Sequence, residues 1–185
     1  MTGQQSQYET LLAAYSDRQT AIALLKQHRP YLSLVPSVRR PEGSLIVMPL
    51  PVMRHLSRNE QRSTPKTLIL PCDLAILTCD PEWQIKLDAE IMVFIHRPGE
   101  TFSELLLRWR HTQVYLDQDY EWLLPESEAH MISNLPAQIH PLFVVFPTTP
   151  EHIIKGLTGA HLPFVLGESP FPEPESVPEV FVTEH

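Results

Sequence analysis

Residues 67–116 read TLILPCDLAILTCDPEWQIKLDAEIMVFIHRPGETFSELLLRWRHTQVYL, and this order of apolar runs, turn and capped helix decides the fold class. TLIL (67–70) and DLAILT (73–78) are β-rich and separated only by Pro71 and Cys72, so they form one kinked strand or two adjacent ones. WQIKL (83–87) leads into EIMVFI (90–95), the most apolar run of the chain. Continuous apolarity over so short a length predicts a strand covered on both faces, at the centre of a sheet. After the turn RPGE, the sequence TFSE has the form of a capping box, in which the Thr101 hydroxyl and the Glu104 carboxylate each satisfy the other's amide. Phe102, Leu105, Leu106 and Trp109 follow at helical spacing, which predicts a helix over about 102–116 with one face on the sheet.

Outward from this stretch, SLIVM (44–48), YEWLL (120–124) and LFVVF (142–146) read as further strands of the same sheet. PLPVMRHLSRNEQRSTPK (49–66), with Pro49 and Pro51, is a poor central strand and is expected to be a basic loop with a helical turn. At the N-terminus, Tyr8, Leu11, Leu12, Tyr15, Ile22 and Leu25 recur at helical spacing, predicting one amphipathic helix that Pro30 ends. Its stripe is expected to pack on the domain's own sheet. The reading is therefore an α/β protein, α+β being the alternative, with a mixed central sheet flanked by this helix and the one after Thr101. Three segments follow: the amphipathic helix at 1–28, the core at 29–166 and an acidic, proline-rich tail at 167–185.

That tail holds four prolines, five glutamates and no Lys or Arg, a composition expected of an extended segment. Phe171, Val177, Val180, Phe181 and Val182 depart from it and predict docking on the domain or on a partner.

At 185 residues with 43% hydrophobic content the chain suits a single soluble domain. No apolar run approaches the ~20 residues of a membrane span, and MTGQQSQYET lacks the basic start and apolar core of a secretory signal, so a cytoplasmic protein is expected. Cys72 and Cys79 match no zinc spacing, and their odd separation predicts two buried thiols on opposite faces of a strand. The nine histidines form no HxH or HxxxH pair.

The net charge of −8 is unevenly spread: residues 1–66 carry nine Lys or Arg against four Asp or Glu, and residues 67–185 carry five against eighteen. Arg39, Arg40, Arg54, Arg58, Arg62 and Lys66 form the basic part, which would meet a phosphate backbone, an acidic protein surface or only solvent.

Metal-assisted phosphodiester hydrolysis needs carboxylates from neighbouring strands and a cation beside them. Asp73 at the start of DLAILT and Glu90 at the start of EIMVFI are the candidate ligands for Mg²⁺ or Mn²⁺, and Arg108 is the candidate cation. The order PCDLAIL, PEWQI, RPGETFSELLLRW, YEWLLPE, LFVVFPTTPEHIIKG and LPF resembles the Uma-type family of restriction endonucleases over about residues 46–166. The resemblance implies a restriction-endonuclease-like fold with an Asp after Pro, a Glu on the next central strand and a Lys on the helix. Here Cys72 separates Pro71 from Asp73, and Arg108 stands at the lysine position. Aligned on the turn, Phe94 stands at the glutamate position with Glu90 four residues before it; aligned on Trp83, that position falls near Lys86. Arginine stays protonated and cannot relay a proton. The expected function is thus a nuclease-fold protein without cleavage, working with no cofactor as a structural or protein-binding subunit with a protein partner or a second copy. The alternative is a metal-dependent DNA endonuclease of the same class.

Overall fold

The computed structural model describes residues 3–37, 39–56, 66–82, 86–131 and 138–171. The described residues form a mixed α/β architecture with five α-helices and two sheets. Strands β1 (Leu45–Pro49), β4 (Leu74–Cys79), β5 (Lys86–Ile95), β7 (Gln138–Val145) and β8 (Phe164–Leu166) form the main sheet in the order β1-β4-β5-β7-β8. β1, β4 and β5 run antiparallel, whereas β7 and β8 continue parallel to β5. EIMVFI is at the centre, as its apolarity requires, and Val93 and Phe94 are fully buried.

A second, three-stranded sheet is built from β2 (Val52–His55), β3 (Thr67–Ile69) and β6 (Tyr120–Trp122), with β2 in the middle. Three readings are corrected here. PLPVMRH contains a strand, because Pro49 closes β1 and Pro51 precedes β2, so neither proline interrupts a ladder. Leu50 between them takes a positive φ of 46°, turning the chain from one sheet to the other. TLIL and DLAILT are two strands in different sheets. YEWLL leaves the main sheet for β2, because the place beside β5 is taken by β7, which returns parallel through the crossover helix.

The N-terminal stripe forms two helices, α1 (Gly3–Tyr15) and α2 (Arg18–Gln27), where one was expected. Asp17 divides them: its carboxylate accepts from the Thr20 amide at 2.9 Å and caps α2, a local bond that competes with helix continuation. Pro30 sits in the first turn of the short α3 (Arg29–Leu32), where a missing N–H costs nothing. Leu11, Tyr15, Ile22 and Leu25 pack with Leu74, Ile76, Ile91 and Val93 on one face of the main sheet.

The opposite face carries α4 (Phe102–Leu116), α5 (Glu151–Gly159) and the small sheet. α4 begins with the expected capping box, both reciprocal bonds being present, and buries Leu105 and Trp109. α5 and β8 were not read from the sequence. Cys72 and Cys79 are free and buried but pack in the same layer, since Cys72 lies in the bend ahead of β4 and escapes the strand's alternation. No helix among the described residues is long and apolar enough to cross a membrane.

Candidate functional site

Asp73 closes the bend at Pro71–Asp73, and its amide donates to the Val93 carbonyl at 2.9 Å. That bond places it opposite Phe94, one step beyond the Leu74↔Val93 pair. The residue is fully buried, and its carboxylate accepts four hydrogen bonds. Oδ1 takes the Tyr8 hydroxyl at 2.8 Å and Arg97 Nη2 at 2.8 Å. Oδ2 takes the Ile95 amide at 2.6 Å and Arg108 Nη1 at 2.8 Å. An ionised carboxylate offers about four lone-pair sites, so none is left over.

Arg108 is the hub of this cluster. α4 sets it back towards β5, where Nε and Nη2 engage the two Glu100 oxygens at 2.7 and 3.0 Å and Nη2 also donates to the Ile95 carbonyl at 2.9 Å. Burial pulls its pKa down, but the Asp73 charge and the Glu100 bonds outweigh that and raise it further above its ordinary value. Burial and the same Asp73 charge raise the Tyr8 phenol, whose ring also lies 4.3 Å from the Arg97 guanidinium carbon. His96, buried behind the turn, meets the Glu100 carbonyl through Nε2 at 3.0 Å and Thr149 Oγ1 through Nδ1 at 3.3 Å. Two carboxylates and two guanidiniums thus balance at the end of the main sheet, with Arg97 reaching solvent.

Glu90 belongs to a different network. It pairs with Leu77 in the ladder, four residues along β5 from Phe94, a separation of ~13 Å along the strand. Its Oε1 accepts from Lys86 Nζ at 2.6 Å and Trp122 Nε1 at 2.7 Å, and its Oε2 from the Tyr120 hydroxyl at 2.7 Å. Glu90 and the Lys86 side chain are both buried, and burial together with the Glu90 charge raises the Tyr120 phenol.

Of the three residues read as a catalytic set, the fold brings together Asp73 and Arg108 and keeps Glu90 apart. Phe94 fills the place beside Asp73, stacked on Phe143 at 5.2 Å and edge-on to Trp109 at 5.8 Å between ring centres. Asp73 and Glu90, the candidate metal ligands of the endonuclease alternative, do not share a site: strand register separates the carboxylates, and each is filled by its own donors. Among the described residues, no group of three or more His, Cys, Asp or Glu is placed to hold a metal ion. Tyr8, Arg97 and Glu100 were missed as members of the cluster. The signal for two of them was the pair bracketing Pro98-Gly99 in RPGE; nothing near Tyr8 marks a partner 65 residues away.

The described basic residues do not share one face of a helix or strand. Arg39, Arg40 and Lys66 are exposed, Arg54 lies on β2 at 3.8 Å from Glu121, and Arg58 and Arg62 lie outside the described residues. Comparison with family models, curated proteins and solved structures gives no match.

Proposed function

We propose that this chain uses a nuclease-type fold without its chemistry and serves as a structural or protein-binding subunit. One observation carries the reading: the carboxylate best placed to be a metal ligand, Asp73, has all its acceptor sites filled by four protein donors, two of them arginines. A divalent ion would have to displace both guanidiniums from a buried site and would find no acids in the cluster beyond Asp73 and Glu100, both of which Arg108 already binds. Supporting it, Phe94 occupies the position where a second acid is needed, and Arg108 is held on two carboxylates with no proton to give. The order helix, three-stranded antiparallel meander, crossover helix and parallel strand is consistent with a restriction-endonuclease-like core, and the resemblance of residues 46–166 to the Uma-type family belongs to the same proposal. For the binding role, Leu107 and Val114 lie seven apart on α4, two turns along one side, and are 48% and 60% exposed. With the exposed Arg110 and His111 between them, they offer a mixed apolar and basic face to a protein partner or a second copy.

The test is a pair of measurements on the full chain. Plasmid DNA incubated with Mg²⁺ or Mn²⁺ should stay intact, and calorimetric titration with Mn²⁺ should show no saturable site. Metal-dependent cleavage abolished by Asp73→Ala would overturn the reading in favour of an endonuclease using Asp73, Glu90 and Arg108.

A further inference from the structure

Phe171 packs on the core cluster beneath the N-terminal helices, and Val177, Val180, Phe181 and Val182 lie outside the described residues. A different apolar face is open on the small sheet. Its strands alternate, with Met53, Leu68 and Trp122 turned inward onto the core cluster that also holds Trp109. Arg54, Thr67, Ile69 and Glu121, each one step along from these, are turned the other way.

An antiparallel sheet with one face in water carries polar residues on that face. One row of the outer face obeys this: Thr67, Arg54 and Glu121 stand side by side on β3, β2 and β6. The next row does not. Ile69 pairs with Val52, and the Leu123 amide donates to the Val52 carbonyl at 3.0 Å, so Ile69, Val52 and Leu123 form an apolar line across the three strands. Ile69 is 62% exposed, and Val52 and Leu123 belong to neither core cluster. Leu50 and Leu56, 44% and 50% exposed, flank the two ends of β2. An apolar patch with a polar row beside it marks an interaction surface.

We propose that two copies of the chain meet at this face, small sheet on small sheet. Self-complementarity selects a second copy as the occupant. Arg54 and Glu121 lie 3.8 Å apart on adjacent strands, and Val52 and Leu123 are neighbours on the same two. A two-fold axis running along the strands, midway between β2 and β6, therefore sets each Arg54 over the partner's Glu121 and each Val52 over the partner's Leu123. One operation pairs opposite charges and apolar side chains together. The net charge of −8 makes copies repel at long range, whereas the polar row here carries one charge of each sign. From Leu50 to Leu56 at ~3.4 Å per residue, across three strands ~4.8 Å apart, the face covers roughly 350 Å². A standard interface takes ~800 Å² from each partner, so this dimer is weak and reversible. It deepens the binding role proposed above and is independent of cleavage, since an active nuclease would carry the same strands.

The experiment is sedimentation equilibrium of the full chain from about 1 to about 1000 μM. The weight-average mass should rise from one chain towards two across that range. Glu121→Arg should weaken dimerisation by about tenfold, because like charges then face each other across the axis. Leu123→Ser should weaken it about as much, by breaking the apolar line. Combining Arg54→Glu with Glu121→Arg should restore the original dimerisation, which separates a lost contact from a lost fold. A monomer at every concentration would overturn the proposal and leave the face to a different protein. A dimer indifferent to both Glu121→Arg and Leu123→Ser would overturn it by moving the contact to another surface. A charge-exchanged double variant that stays monomeric would overturn the two-fold pairing on which it rests.

Discussion

Asp73, in the bend ahead of β4, and Glu90, on β5, are both fully buried acids, and the protein satisfies them in different ways. Asp73 is held by two arginines, a phenol and a backbone amide drawn from α1, β5, the turn after it and α4. Glu90 is held by one lysine four residues away on its own strand and by two aromatic side chains of β6. The first network fastens helices onto the end of the main sheet; the second fastens the small sheet to the large one. The difference lies in redundancy. Arg108 keeps Glu100 if Asp73 is lost, and the Arg97 side chain is 37% exposed, whereas Lys86 is 2% exposed with Glu90 as its ion-pair partner.

The comparison breaks most visibly at Glu90. Glu90→Ala leaves a buried ammonium uncompensated and is expected to cost about 3 to 5 kcal/mol, measured by denaturant unfolding. Replacing Lys86 and Glu90 together by Met should recover most of that loss, since an apolar pair of similar volume carries no desolvation penalty. A double variant as unstable as the single one would show that the network specifies the packing of β6. Asp73→Ala should cost less, about 3 kcal/mol, because one arginine keeps a partner and the other can turn to water. A larger loss than that of Glu90→Ala would reverse the comparison.

The phenols sharpen it further. Burial and the neighbouring carboxylates raise both Tyr8 and Tyr120, and burial raises Tyr31 to about 12. A raised folded-state value means that the stabilisation is complete below the unfolded phenol value of about 10 and is lost as pH rises through the folded one. Stability should therefore fall above about pH 10, and Tyr120→Phe should flatten that fall while costing about 1 to 2 kcal/mol at neutral pH. Tyr8→Phe should cost less than Tyr120→Phe, since Asp73 keeps three donors and Glu90 only two. The smallest effect belongs to Thr101→Ala, about 1 kcal/mol from loss of the cap on the helix that carries Arg108. Thermal unfolding at neutral pH measures it.

Much of the fold was legible because its signals are local. The capping box TFSE and the spacing of Leu105 and Trp109 depend on residues within two turns, and the helix they announce has the expected span. EIMVFI declared itself central because a strand buried on both faces leaves no polar alternation. Asp17 was equally local, but the apolar residues on either side of it keep one helical period through the cap, so one helix was expected where two exist.

The site was half legible. Composition and order singled out Asp73, Glu90 and Arg108, and two of the three do meet. What the amino-acid sequence determined by itself was the inventory: which runs form strands and helices, and which charged residues lie at their ends. Only the tertiary structure decided that YEW leaves the main sheet, that register holds Glu90 four positions from the residue opposite Asp73, and that Tyr8 crosses 65 residues to close the carboxylate. The physical reason is that propensity and capping act through neighbours in the chain. Burying a charge is resolved by whichever donors the packed elements bring within hydrogen-bonding distance, and those come from anywhere in it.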